Sequence, residues 1–76
     1  MKRFDLRHLK NDFGGRLEEI LQTQLQKGEV GIFLFEVIEF ENVQKSADIV
    51  EKSGNELLNS LRFNEVDWTI VVRKVA

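Results

Sequence analysis

A chain of 76 residues has room for one domain, residues 1–76, and not for a second. It holds no cysteine and one histidine, which excludes disulfides and thiolate metal sites and leaves packing or a partner to stabilise a small core. Eleven basic against 13 acidic residues, a formal net charge of −2, lack the basic excess that a general nucleic-acid binder needs.

Phe4 and Leu6 alternate with Arg3, Asp5 and Arg7, which predicts a short first strand with one buried face. Leu9, Phe13, Leu17, Ile20, Leu21 and Leu25 then recur at steps of three and four, predicting a helix that ends at Lys27-Gly28. Asn11 or Asp12 can cap its start, and Gly14-Gly15 weakens its first turn. Val30 to Ile38 is β-branched and aromatic with apolar residues on both faces, as a central strand requires. After Glu39-Phe40-Glu41, Asn42 can cap a second helix. Its apolar face is Val43, Ala47, Val50, Gly54, Leu57 and Leu61, with Gly54 marking a close approach to the sheet. The segment from Val66 to Val75 closes the sequence as a strand, with Trp68, Ile70 and Val72 on one face.

This order predicts an α/β fold: a two-layer βαβαβ sandwich with a three-stranded, mainly parallel sheet. Right-handed crossovers with both helices on one face give the strand order 1-2-3, and helices on opposite faces give 2-1-3. The apolar second strand and half-polar third strand favour the first arrangement. One sheet face then stays open, showing Phe33, Phe35 and Val37 with Val71 and Val75. A contiguous apolar patch of that kind points to a protein or ligand interface, including pairing with a second copy. Lys2, Arg3, Arg7, Lys10 and Arg16 crowd the first quarter, while Glu36, Glu39 and Glu41 follow a strand. Such asymmetry is either the solvated ends of elements or a docking surface with a positive and a negative end.

Catalytic equipment is missing from the pattern. No Gly-x-Ser-x-Gly turn supports Ser46, Ser53, Ser60, Thr23 or Thr69 as a nucleophile. His8 with Asp5 is a surface pair before it is an acid–base couple. Glu36, Glu39 and Glu41 alternate across a strand and do not converge on a metal. Gly14-Gly15-Arg16 lacks the spaced glycines and the Lys-Ser/Thr pair of a phosphate loop, and reads as a flexible helix entry. Trp68, the only tryptophan, is either core beneath the second helix or a platform for a planar ligand. In the second case Arg73 or the basic N-terminal segment would attract a phosphate. No secretory apolar region follows Met1-Lys2-Arg3, and the longest apolar run, Val30 to Phe35, is strand-sized, so the expected location is cytoplasmic.

Three segments carry a resemblance: Met1-Lys2-Arg3-Phe4-Asp5-Leu6-Arg7, Lys27-Gly28-Glu29-Val30-Gly31, and Asp67-Trp68-Thr69-Ile70-Val71-Val72-Arg73. With the remaining sequence they resemble a family of small epsilonproteobacterial proteins. Those proteins stand in the place of the E subunit of respiratory complex I, the NADH-quinone oxidoreductase. The likeness is one of overall sequence rather than of a chemical motif. It implies a peripheral, cytoplasm-facing accessory at the electron-input module, reaching the inner membrane only through the complex and partnered by other complex I subunits. The ordinary E subunit carries a two-iron cluster on four cysteines, which this protein cannot hold. The electron-input module also contains a flavin, so the resemblance makes a flavin (FMN or FAD) the planar ligand for Trp68 and Arg73.

Overall fold

The computed structural model describes residues 1–76. In sequence order it has β1 (Lys2–Asp5), a 3-10 segment (Arg7–Asp12), α1 (Phe13–Thr23), β2 (Val30–Glu36), α2 (Glu41–Lys52), β3 (Glu56–Arg62) and β4 (Asp67–Arg73). The sheet has four strands in the order β1-β2-β4-β3. β1 pairs parallel with β2, and β4 pairs antiparallel with both β2 and β3.

This overturns the expected three-stranded, mainly parallel sheet with order 1-2-3. The second helix stops at Lys52, and the remaining residues form the β3–β4 hairpin. The stop has a clear cause. Gly54, at φ +79°, takes the left-handed conformation that ends a helix, where an L side chain is strained. Its N–H donates to the Glu51 carbonyl (3.0 Å) and the Asn55 N–H to the Val50 carbonyl (3.2 Å), the crossed pair of a Schellman termination. Gly54 is therefore a stop and not a mid-helix contact. β3 carries a bulge between Leu57 and Asn59. An inserted residue breaks the two-residue period, so two leucines four apart fall on opposite faces of the strand. β3 still runs parallel to β2, and β4 is inserted between them to make a split βαβ unit.

Both helices cover one face of the sheet. Phe33 and Phe35 of β2 and Ile70 and Val72 of β4 meet Phe13, Leu17, Ile20 and Leu21 of α1 and Val50 of α2, all essentially inaccessible to water. The Phe13 and Phe35 rings stack with centroids 4.4 Å apart, and Phe4 stacks on Phe33 at 5.0 Å. Leu6 and Leu25 close the core's ends. Gly14 has a packing role: a Cβ there would stand 3.1 Å from Ile49 Cδ1 and Lys45 Cε, so its lack of a side chain lets α1 approach α2. Helix α1 ends at Thr23, earlier than Lys27, and Gly28 (φ +88°) serves the turn into β2 instead.

Candidate functional site

The open face is built in rungs set by strand register. Arg3, Ile32, Val71 and Asn59 form one rung across all four strands, and Asp5, Leu34, Thr69 and Leu61 form the next. Ile32, Leu34 and Val71 are half-buried with no element above them, while Leu61 and Phe63 are exposed by 42% and 61%. Together they line a shallow groove of about 630 Å³. Ion pairs close its two ends. Arg73 and Glu56 meet at 3.0 Å at one end, and Arg7 meets Asp67 at 3.3 Å at the other.

Of the five residues expected on this face, Val71 is there. Phe33 and Phe35 point the other way, into the core, with no accessible surface. Val37 is half-buried against that core, and Val75 lies past the end of β4. Alternation divides β2 into Val30, Ile32, Leu34 and Gly31, Phe33, Phe35, both sets apolar, and the helices cover the second. Gly31 belongs to the covered set, where a Cβ would stand 3.1 Å from Leu25 Cδ1 and Phe33 Cε2.

A second exposed feature lies at the rim where β2 ends and β4 begins. Trp68 is half-buried on the helix-covered face, and its indole N–H donates to the Ser60 hydroxyl (2.8 Å). Phe40, 72% exposed, stands edge-on to the Trp68 ring with centroids 6.4 Å apart. The Arg62 guanidinium lies 5.8 Å from the indole centre. Trp68 and Arg73 are not brought together. They occupy opposite ends and opposite faces of β4, and Arg73 is spent on Glu56. Arg62 is the cation beside Trp68, and it was missed because the expected helix ran through Leu61.

Between these regions the charged side chains form a network. The Asp5 carboxylate accepts from Arg7 Nη2 (2.7 Å), Nε (3.0 Å) and the Arg7 backbone N–H (3.0 Å). Those hydrogen bonds lower the Asp5 pKa to about 2, and the same contact raises that of Arg7. Asp67, buried under the β3–β4 turn, accepts from Asn64 Nδ2 (2.8 Å) and from Arg7. The Gln26 backbone N–H, with Lys2 nearby, lowers the Glu29 pKa. Asp5 is thus taken by Arg7 and not by His8, and Glu36 pairs with Lys10 at 3.1 Å. No three His, Asp or Glu side chains converge as a metal site would need. Lys10 also holds an unusual backbone, φ 53° and ψ −124°, that sequence pattern did not reveal.

Comparison with known proteins places these features in a family. The family model for a "putative NADH-ubiquinone oxidoreductase" E chain matches residues 1–74. The solution structure of HP1264 from Helicobacter pylori is 59% identical, with both chains covered over 100% of their length and a TM-score of 0.70. No curated protein matches the sequence. With all but its last two residues inside the family model, the protein belongs to this family of NADH-ubiquinone oxidoreductase E chains.

Proposed function

We propose that the protein is an accessory subunit of respiratory complex I (NADH-quinone oxidoreductase), seated at the peripheral electron-input module and docking a larger subunit through its open sheet face. Family membership over residues 1–74 carries the reading. The uncovered apolar groove of Ile32, Leu34 and Val71 supports docking, because a patch of this kind is unusual on a protein that works alone. An iron–sulfur cluster does not fit: there is no thiolate to hold one and no convergent substitute. The subunit serves the complex by contact rather than by carrying a cluster. No helix is long and apolar enough to cross a membrane, which accords with attachment through other subunits on the cytoplasmic side.

Within this reading Trp68 and Phe40 form the place for a flavin ring. Isoalloxazine is planar and aromatic, and the exposed edge of the Trp68–Phe40 pair offers stacking area with Arg62 as the neighbouring cation. Pull-down of the tagged protein from membranes in mild detergent tests the docking; absence of every complex I subunit from the eluate would remove it. For the flavin, FMN is titrated into ¹⁵N-labelled protein. The Trp68 indole and Phe40 amide signals shift together if the site is real, and unchanged spectra at millimolar FMN count against it.

A further inference from the structure

We infer that the open sheet face receives one amphipathic helix of the partner subunit, lying along β2, β4 and β3, with an acidic residue on the flank that meets Arg3. This deepens the docking reading above and rests on it.

Dimensions favour a helix. Three adjacent strands span roughly 10 Å, close to the 10–12 Å diameter of one helix with its side chains. Lengthwise, the Glu56–Arg73 and Arg7–Asp67 pairs bound the trough. They are six residues apart along β4, about 20 Å of strand, which about 13 helical residues match. The five apolar side chains between them, Ile32, Leu34, Leu61, Phe63 and Val71, meet the apolar stripe of such a helix.

The sheet edges argue against strand addition. β3 is bulged, and β1 has only four residues with Lys2 and Arg3 along it. A second copy is disfavoured by area. The face is on the order of 300 Å² in projection from strand spacing and rise, well short of the ~800 Å² per partner of a stable interface. One helix within a larger subunit contact has no such requirement.

Charge picks the flank. Among the basic side chains that border the open face, Arg7 and Arg73 have carboxylate partners within the protein. Arg3 lines the groove, is exposed, and has none. The nearest carboxylate on its strand, Asp5, is already held by Arg7. An acidic side chain on the partner supplies what Arg3 lacks.

The test places the photo-crosslinking residue p-benzoylphenylalanine at Val71 and, separately, at Leu61 of the full-length protein, expressed in its own cells. Cross-linked peptides are mapped by mass spectrometry. Links to one complex I segment at positions three or four apart, with Asp or Glu beside them, are expected. Arg3→Glu should lower the yield at least tenfold, whereas Lys27→Glu, a change at an exposed lysine outside the groove, should not. An amide spectrum of Arg3→Glu verifies its fold. Links to a second copy, links spaced by two as in a strand, or a yield indifferent to Arg3→Glu each overturn the helix. If the tagged wild type recovers complex I subunits while Val71 and Leu61 cross-link nothing, the face is wrong and docking survives. If the wild type recovers none, both fall.

Discussion

Asp5 shows how much one side chain can do at a strand end. Its carboxylate accepts three N–H groups from a single residue, Arg7, and Arg7 then reaches 60 positions along the sequence to the buried Asp67. A carboxyl group whose pKa falls from its usual value to about 2 on folding stabilises the native state at all pH values above roughly 4. That contribution is lost as pH falls through about 2. Carboxyl-carbon NMR should place the Asp5 midpoint near 2, and Arg7→Met should return it to the ordinary aspartate range; a wild-type midpoint near 4 would show the contact to be absent. Asn55 is a second such residue. Its Oδ1 accepts from the Val75 and Ala76 backbone N–H groups while its Nδ2 donates to Ser53, tying the C-terminus to the α2 exit. Asn55→Ala removes both bonds to the exposed C-terminus and should cost about 0.5–1.5 kcal/mol in urea unfolding.

At the scale of elements, the end of α2 decides what the last third of the sequence becomes. Had the helix continued through Gly54, β3 would not exist and β4 would pair directly along β2 as a parallel third strand. Gly54→Ala keeps helix-forming character but forces a Cβ onto φ +79°, with Ala76 Cβ 3.3 Å away. A loss of about 1–2 kcal/mol is expected, from the left-handed conformation alone. Chemical denaturation measures it, and an unchanged midpoint would show that the turn is not held as described. This is also where sequence reading failed. Val43, Ala47, Val50, Gly54, Leu57 and Leu61 make one continuous helical face on paper. A four-residue step puts Leu57 and Leu61 on one face of a helix and of a regular strand alike, so the spacing could not tell the two apart. Elements without such an ambiguity were legible: the apolar positions of α1 and the alternation of Ile70 and Val72 in β4 lie where periodicity put them.

For the whole molecule, the core is a single layer of contacts between two helices and one side of the sheet. Phe13 and Phe35 stand at its centre with no accessible surface. Phe35→Ala should cost about 3–5 kcal/mol, comparable to the entire margin of a domain this small. The variant is expected to be largely unfolded at 25 °C by circular dichroism; a cooperative transition close to that of wild type would contradict the core assignment. Amide hydrogen exchange tests the topology independently. In the order β1-β2-β4-β3, the central β2 and β4 should exchange slowest and the outer β1 and β3 fastest, whereas a β2-centred three-stranded sheet would leave β4 among the fast edges.

Composition and local pattern were enough to exclude thiol chemistry and to mark the apolar positions of two helices and the apolar strand Val30–Glu36. They act over a few residues, and those properties are local. Which side of β2 would be buried was not local, because Ile32 and Leu34 are as apolar as Phe33 and Phe35; only the placement of α1 and α2 chose between them. The same holds for Arg62 beside Trp68, and for Arg3 left without a partner at the rim of the groove. Strand order and the pairing of distant charges follow from where α2 ends and how β4 inserts. The open face is therefore a tertiary property, decided when the helices cover one of two apolar surfaces and leave the other exposed to solvent.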